Sequence, residues 1–351
     1  MPGAVDSVIS EALRAGASDI FISEGGSARA RVAGAIRKLE VDALTREDMM
    51  DFWSACGVSP HDSSDHDCRY LHAEQSQFLR VNLHMKMGVL AAVLRPVKTV
   101  IPEMEELGLP VNVLREWFSR PSGLILVTGA SGSGKSTTIA SALQDMSRRR
   151  ESHILTIEDP VEYFFRNDRS FFTQREIGTD SDSFGSALRS SLRQNPDVIF
   201  IGEIRDFETA DIALRSAESG HLIAATLHSS GAVEAIDRLK LLFPASMREG
   251  VRSVLAQQII GIASQSLVPA RGGGVTPICE LMQAEAAVRK WLKEDRMNEI
   301  SELLDRAATG VSVGFVRELV NAVESGRISE EEGRRAARNP HDFNRLVSGL
   351  K

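Results

Sequence analysis

Apolar residues in the first part of the chain recur first with a helical and then with a strand-like period. An amphipathic helix that ends at Gly16 is predicted first. Its apolar residues recur at spacings of three and four, at Val5, Val8, Ile9, Ala12 and Leu13. Strand-like segments follow at 19–23, 29–32, 36–39, 78–84 and 89–95, and Thr45 opens a second helix through a capping box with Asp48. Residues 1–95 are therefore predicted to form a small α+β domain. Three prolines within 96–110 predict a linker after it.

From about residue 120 the pattern changes to apolar strands that alternate with amphipathic helices. Strands are predicted at Leu124–Thr128, His153–Ile157, Val198–Ile201 and Leu222–Leu227. Helices are predicted up to about Ser147, over Ser183–Gln194 and from Asp206 to Ser219. This alternation is typical of a parallel sheet covered by helices, so residues 111–275 are predicted to form an α/β core. Residues 276–351 are predicted to be mostly helical.

The composition is that of an ordinary globular protein, with 42% hydrophobic and 25% charged residues among 351. The 48 acidic residues outnumber the 41 Lys and Arg, and a net charge of -7 argues against nucleic-acid binding through bulk charge. The cysteines Cys56, Cys68 and Cys279 form no C-x-x-C pair, so neither a disulfide framework nor a cysteine zinc site is predicted. The apolar run Val89–Leu94 is far shorter than the roughly 18 residues of a membrane span, and the N-terminus lacks a signal-peptide pattern. We therefore expect a cytoplasmic protein with no membrane span of its own.

A glycine-rich segment between a predicted strand and a predicted helix carries the strongest chemical signal. Residues 129–136 fit the pattern G-x-x-x-x-G-K-[ST] in the strand–turn–helix context that this phosphate-binding loop requires. Glycines let the backbone wrap around phosphates, and the N–H groups at the helix start face the anionic oxygens. Lys135 would place a positive charge on the β- and γ-phosphates, and Ser136 would offer its hydroxyl to Mg²⁺. The predicted ATP-binding residues are Gly129, Ser131, Gly132, Ser133, Gly134, Lys135, Ser136 and Thr137.

Carboxylates follow two predicted strands at the ends where parallel sheets bind ligands. The strand Val198–Ile201 ends in Gly202-Glu203, a Walker B-like pattern in which Gly202 stands where an Asp is expected. Glu203 is predicted to orient water, directly or through Mg²⁺, and a surface acid beside a helix is the alternative. Three further acids follow another strand: Glu158, Asp159 and Glu162. One of them is predicted to be the general base for the attacking water, and a solvated acidic turn is the alternative.

Two histidines and a set of arginines complete the candidates. His221 and His228 bracket the strand Leu222–Leu227 at an odd spacing, so an ideal strand points them to opposite faces and makes a shared metal site improbable. His228 lies at the carboxyl end of the strand, where a phosphate sensor would lie. Arginines outside the phosphate loop often offset γ-phosphate charge, and ordinary surface arginines are the alternative. The arginines considered are Arg80 and Arg95 in the first domain and Arg189 and Arg193 in the second.

Together these motifs resemble the type IV pilus retraction ATPase (PilT) family of the type II/type IV secretion ATPase superfamily. Residues 156–162 resemble the family's Asp box, 195–206 its atypical Walker B motif and 217–228 its His box. The resemblance implies a PAS-like first domain, a RecA-like ATPase core and a homohexameric ring. It also implies that the ring acts on an inner-membrane platform protein, which would hold it peripherally at the inner membrane.

The resemblance also assigns roles to individual residues. It implies roles near metal and water for Glu158 and Glu162, and the role of the Walker B acid for Glu203. With the phosphate-loop reasoning above, the predicted Mg²⁺ ligands are Ser136 and Glu203, the latter directly or through water. It implies nucleotide sensing by His221 and His228. The resemblance further implies that Arg80 and Arg95 approach the γ-phosphate.

The type of motor is less firmly indicated than the superfamily. Extension and type II secretion ATPases are longer and usually carry a four-cysteine zinc element, which this sequence lacks. Residues 287–294 resemble the retraction family's C-terminal A-I-R-N-L-I-R-E motif, although Lys290 and Trp291 depart from it. The leading prediction is a Mg²⁺-ATP-hydrolysing hexameric motor for pilus retraction. The alternatives are another secretion or accessory pilus ATPase, a nucleotide-gated regulatory module without turnover, and a small-molecule kinase.

Overall fold

A computed structural model describes residues 3–62, 64–306 and 311–349, which fold as two units. The first unit comprises the described residues up to 100 together with the short segment 162–164. The second comprises 101–161 and the described residues from 165 onward. Residues 1–2 and 63 of the predicted first domain, and 307–310 and 350–351 of the predicted C-terminal region, lie outside the described residues.

The first unit consists of an antiparallel sheet and two helices, which together form one hydrophobic core. Its elements are α1 (Ala4–Arg14), β1 (Ala17–Ser23), β2 (Arg29–Val32), β3 (Ala35–Lys38), α2 (Arg46–Ala55), β4 (His66–His72), β5 (Gln77–Lys86) and β6 (Val89–Pro96). The strands lie in the order β3-β2-β1-β6-β5-β4. Alternate residues of β5 are buried, the period expected when one face of an antiparallel sheet packs on the core. That core includes Ile9 of α1 and Trp53 of α2.

The second unit alternates strands and helices and then continues into a series of helices. Its elements are α3 (Val111–Phe118), β7 (Gly123–Thr128), α4 (Lys135–Ser147), β8 (His153–Glu158), β9 (Phe171–Glu176), α5 (Phe184–Ser191), β10 (Val198–Ile201), α6 (Phe207–Glu218), β11 (Leu222–Leu227), α7 (Ala232–Leu241), α8 (Arg248–Gln258), β12 (Ile259–Pro269), β13 (Val275–Gln283), α9 (Ala286–Lys293), α10 (Met297–Asp305), α11 (Phe315–Glu324), α12 (Glu330–Ala336) and α13 (Pro340–Val347). Short 3₁₀ turns at 192–194 and 245–247 extend this list.

The sheet of the second unit has the strand order β13-β12-β7-β11-β10-β8-β9. All its pairings are parallel except that of β12 with β13. Strands β7, β10 and β11 are buried along their whole length, because helices cover both faces of the sheet. One apolar cluster includes residues of α5, α6, α7 and α8, and a second includes residues of α3 and α4.

The structure contains four strands that the hydrophobic pattern does not predict, namely β4, β9, β12 and β13. Polar residues interrupt their apolar runs, such as Gln265 within β12 and Glu280 within β13. Pro277 fits in β13 because this strand lies at the edge of the sheet. The predicted helical region after residue 276 therefore begins with a strand. Within the predicted linker, Met104 and Leu109 are buried in the core of the second unit.

Candidate active site

The carboxyl ends of four neighbouring parallel strands bring most of the predicted residues to one edge of the second sheet. Thr128 of β7 pairs with Leu227 of β11, and Ile201 of β10 pairs with both Ala225 of β11 and Ile157 of β8. The glycine-rich loop after β7, His228 after β11, Glu203 after β10 and Glu158 at the end of β8 therefore share this edge. Ligands of open parallel sheets bind at such an edge.

The glycine-rich loop has a backbone that only glycines adopt easily. Gly129, Gly132 and Gly134 have φ values of 147°, 76° and 86°, in the region disfavoured for residues with a Cβ. The Lys135 side chain curls back over the loop, and its Nζ donates to the carbonyl oxygens of Gly129 and Ala130 at 3.0 and 2.9 Å. Only 8% of Lys135 is exposed, so the loop holds a nearly buried ammonium group at the first turn of α4.

The loop rests on Gln265 of β12, a residue that the sequence patterns do not single out. Its side-chain amide donates to the carbonyl oxygen of Ser133 at 2.7 Å and accepts from the Thr138 hydroxyl at 2.7 Å. A Cβ at Gly134 would lie 2.9 Å from the Gln265 amide nitrogen, and one at Gly129 would collide with the Gln265 carbonyl oxygen. The glycines therefore also permit close approach of β12 to the loop. In the sequence, only the short polar stretch Ser264–Ser266 within an apolar segment hints at this role.

The loop fits a bound phosphate chain. The Ser133 hydroxyl is buried and has no hydrogen-bond partner among the described residues, an arrangement that costs about 1–3 kcal/mol when nothing satisfies the group. An anion at the start of α4 would find this hydroxyl, the Lys135 ammonium and the backbone N–H groups of the helix start.

The Glu203 carboxylate is bound on both of its oxygens. Arg205 Nε lies 2.7 Å from Oε2, and His228 Nε2 lies 3.3 Å from Oε1. Arg205 also reaches the Asp159 carboxylate, with 3.5 Å between Nη1 and Oδ2. The side chain of Glu203 is 13% exposed, so it is accessible to a small molecule while held by two neighbours.

The structure explains why Gly202 stands where the Walker B pattern expects an Asp. A Cβ at Gly202 would lie 3.1 Å from the Ile157 carbonyl oxygen and 3.2 Å from the Glu158 Cα. The Gly202 N–H also donates to that carbonyl at 2.7 Å. A side chain at this position would press on the backbone of β8, which would have to move by a few tenths of an ångström. Glycine avoids this, and Glu203 is then the acid at the end of β10.

Glu158 is a second carboxylate at the same edge and is nearly buried. Its Oε1 accepts from the Thr156 hydroxyl at 2.7 Å and from the Gln174 amide at 3.3 Å. Its backbone packs against Gly202, so it neighbours the Glu203 segment directly. Glu162 is exposed and belongs to the segment 162–164 of the first unit, and its role near metal or water stays a prediction.

The two histidines lie at opposite ends of β11. His228 follows the carboxyl end and contacts Glu203. His221 precedes the amino end, where its Nδ1 lies 3.1 Å from the Ser216 carbonyl oxygen and 3.1 Å from the Ser219 hydroxyl. The structure therefore brings His228 to the candidate site and places His221 at the other edge of the same sheet. Nucleotide sensing by either histidine stays a prediction.

Arg80 and Arg95 are cross-strand partners on β5 and β6 of the first unit. Arg95 donates to the Asp19 carboxylate through Nε at 2.9 Å and Nη2 at 2.7 Å. Burial acts to raise the pKa of Asp19, but hydrogen bonds from Arg95 and Ser18 and the nearby arginine charges lower it overall. Arg95 therefore has a structural partner, and the predicted approach of both arginines to the γ-phosphate stays a prediction.

Comparison with known proteins identifies the family. A family model described as "Type II/IV secretion system protein" matches residues 76–329. The chain belongs to this family. The "Type IV pilus retractation ATPase PilT" of Pseudomonas aeruginosa is 35% identical over 338 residues, which cover 93% of this chain and 96% of PilT. The "Type IV pilus ATPase PilU" of the same organism is 32% identical over 95% of this chain and 88% of PilU.

A solved structure agrees with this family assignment. The crystal structure of the pilus retraction motor PilT with bound ADP matches with a TM-score of 0.88 at 37% identity, and the match covers 97% of this chain and 99% of that chain. The predicted family and the predicted fold class, a parallel-sheet α/β core after a small α+β domain and before C-terminal helices, are therefore confirmed. The predicted enzyme class, an ATPase, is confirmed as well.

Two further observations concern ions and membranes. In the described part of the chain, no three His, Cys, Asp or Glu side chains converge in a metal-binding group. Mg²⁺ is usually bound through one or two protein groups together with phosphate oxygens of the substrate. Ser136 and Glu203 therefore fit Mg²⁺ as the protein's share of the ligands, with the nucleotide supplying others. No helix among the described residues is both long and apolar enough to cross a membrane.

Proposed function

We propose that this chain is a Mg²⁺-dependent ATPase that works as a homohexameric motor and drives type IV pilus retraction. One observation carries the proposal: the chain is similar over nearly its whole length to an ATPase named for pilus retraction. The geometry agrees with it, because the phosphate loop, Glu203 and Glu158 lie at one sheet edge. Twitching motility is the cell behaviour that such retraction would power.

The roles of the residues follow from their positions. The loop from Gly129 to Thr137 binds the phosphates, and Lys135 exchanges its loop carbonyls for phosphate oxygens, which are stronger acceptors for an ammonium group. Glu203 orients or deprotonates the attacking water, and Glu158 is the alternative base at the same edge. His228 holds Glu203 and senses the nucleotide through it.

Mg²⁺ fits this set of residues as a partner of the nucleotide. When bound, it neutralises charge on the β- and γ-phosphate oxygens. The Ser136 hydroxyl and the Glu203 carboxylate would hold it, the latter directly or through water.

The proposed assembly gives the first unit and a partner protein their roles. Arg80 and Arg95 offset γ-phosphate charge in the assembled ring, and His221 senses nucleotide from its own edge of the sheet. Movement of the first unit during the ATP cycle acts on an inner-membrane platform protein of the pilus machinery. The motor is then cytoplasmic and peripheral to the inner membrane through that partner. No nucleic-acid partner is proposed.

Another motor of the family is the second candidate, because the likeness to PilU covers as much of the chain as that to PilT. A regulatory module without turnover needs neither Glu203 nor Glu158, so their presence at the phosphate edge favours an enzyme. A small-molecule kinase leaves the first unit without a role.

The decisive experiment measures ATP hydrolysis with Mg²⁺ and relates it to assembly and motility. Lys135→Ala should reduce turnover to background with the fold intact, while Lys38→Ala, an exposed lysine of β3, should leave it unchanged. Specific activity should rise with protein concentration. Light scattering should show hexamers forming over the same range of concentrations. A Lys135→Ala variant with wild-type turnover would remove the assignment of the loop.

The pilus role is tested separately, in a piliated strain that lacks its retraction ATPase. Restored twitching by the wild-type chain and not by Lys135→Ala supports a retraction motor. Turnover without restored twitching favours another motor of the family. Phosphorylation of an added small-molecule acceptor would instead indicate the kinase.

A further inference from the structure

Arg205 lies between two carboxylates at the active-site edge, and no motif assigns it a role. Its Nε is 2.7 Å from Glu203 Oε2 and its Nη1 is 3.5 Å from Asp159 Oδ2. The contact with Glu203 is the shorter of the two, so Asp159 is the weaker of two partners that Arg205 already reaches. Asp159 is also the more exposed acceptor, at 42% against 13% for Glu203.

The backbone around Arg205 is fixed on both sides. The Thr226 hydroxyl donates to the Gly202 carbonyl, and the Ile204 N–H donates to the Thr226 carbonyl at 3.0 Å. After Arg205, the Asp206 side chain caps α6 by accepting from the Thr209 N–H at 2.8 Å. A change of partner by Arg205 therefore needs only side-chain rotation, which is fast and inexpensive compared with loop movement.

The ion pair with Arg205 limits how Glu203 can act on water. An ionised carboxylate has about four lone-pair directions, and the Arg205 guanidinium on Oε2 together with His228 on Oε1 takes two of them and fixes the orientation of the side chain. Release of Arg205 would free Oε2 and leave His228 to hold the other oxygen in place.

We propose that Arg205 is a positioning residue that restrains Glu203 while the two are paired and transfers to Asp159 when Glu203 acts on water. This inference rests on the proposed ATPase function. It assigns Asp159 the task of receiving Arg205, which leaves Glu158 and Glu162 as the candidate bases among these three acids. The Glu203–Arg205–Asp159 group then couples the occupancy of the site to the availability of its acid.

A double-mutant cycle tests the transfer, with the single-turnover rate of ATP cleavage as the readout because product release does not affect it. Arg205→Ala removes the restraint and should raise this rate about two- to fivefold, the range of an exposed ion pair, with little change in KM. Asp159→Asn removes the receiving charge and should lower the rate by a similar factor. In the double variant the Asp159→Asn effect should disappear.

The control is Arg215→Ala with Asp211→Asn, an ion pair within α6 that should not change the rate. An additive cycle, in which Asp159→Asn slows cleavage without Arg205, would overturn the transfer. A lower rate in Arg205→Ala would also overturn it, because Arg205 would then support the reaction and not restrain it.

Crystal structures of the nucleotide-free protein and of its complex with a non-hydrolysable ATP analogue give a readout that does not depend on turnover. Arg205 should pair with Glu203 in the first and with Asp159 in the second. Arg205 on Glu203 in both would overturn the inference. If the wild-type chain hydrolyses no ATP, the proposed function fails, and these two structures still decide whether Arg205 changes partner.

Discussion

At the scale of single residues, Glu203 is the side chain whose change should separate nucleotide binding from chemistry. Glu203→Gln keeps the shape of the side chain but removes the basic oxygen pair, so ATP binding should persist while turnover falls by about 10²–10⁴-fold. Turnover and the binding of a fluorescent ATP analogue measure the two effects, with Glu249→Gln as an exposed control. Unchanged turnover would transfer the role to another acid, and Glu158→Gln and Glu162→Gln would rank the remaining two.

The Asp19–Arg95 ion pair predicts a pH-dependent contribution to stability. Because the pKa of Asp19 lies below its ordinary value of 3.8, the folded protein favours the carboxylate. The stabilisation is present above about pH 3.8 and is lost as pH falls through the lowered pKa. Arg95 is 63% exposed, so Arg95→Ala should lower the free energy of unfolding by no more than about 1 kcal/mol near neutral pH.

Urea unfolding of both proteins from about pH 7 to pH 3 measures this difference. The two free energies should converge at acidic pH, where Asp19 is protonated in both folded proteins. A difference that does not change with pH would show that Arg95 stabilises the first unit through packing alone.

Some residues of the site could be predicted from the sequence and others could not. Lys135 and Glu203 could be predicted because each stands in a motif whose spacing follows from the chemistry. Arg205 and Gln265 could not, because each acts through a partner distant in sequence: Asp159 on another strand end, and Ser133 in the loop. Side-chain pairing across strands depends on sheet order, which hydrophobic periodicity does not report.

At the scale of elements, strand β12 supports the phosphate loop through the side chain of Gln265. Gln265→Ala leaves the Thr138 hydroxyl and the Ser133 carbonyl without their partner, a loss of about 1–3 kcal/mol for buried groups. We expect about tenfold weaker ATP binding, because a loosened loop must be ordered again when it binds. Gln144→Ala removes another buried glutamine, which bonds the 166–168 segment, and should affect stability more than ATP affinity.

Titration calorimetry with ATP, in parallel with thermal unfolding, compares the two variants. Equal losses of affinity would show that any cavity in this unit weakens the site. A loss confined to Gln265→Ala would show that β12 sets the shape of the loop.

The strands that could be predicted and those that could not differ in their surroundings. β7, β10 and β11 are buried on both faces and therefore consist of continuous apolar residues. β9 lies at the edge of the sheet, and its polar positions Thr173, Gln174 and Arg175 weaken its pattern. In β13 the buried Glu280 accepts from the backbone N–H of Ala232 at 2.7 Å, at the start of α7, so a tertiary contact replaces the expected apolar residue.

At the scale of the whole molecule, the proposed motor requires the first unit to take part in ATP hydrolysis. Arg80 and Arg95 precede the phosphate loop by more than thirty positions, so sequence proximity cannot place them at a nucleotide. ATP and ADP differ by the γ-phosphate, and a cation that meets only this group stabilises the transition state without changing ADP affinity. An arginine in this role can contribute about 10³–10⁵ in rate.

Arg80→Ala should therefore lower turnover at least about tenfold and leave ADP affinity unchanged. Arg95 must leave Asp19 before it can meet a phosphate, so Arg95→Ala should have the smaller effect on turnover of the two.

Arg37→Ala, at an exposed arginine of β3, controls for loss of surface charge in the same unit. Turnover assays and ADP titrations of the three variants decide the question. Wild-type turnover in both Arg80→Ala and Arg95→Ala would exclude these arginines from the chemistry, because a surface ion pair alone is worth less than about 1 kcal/mol.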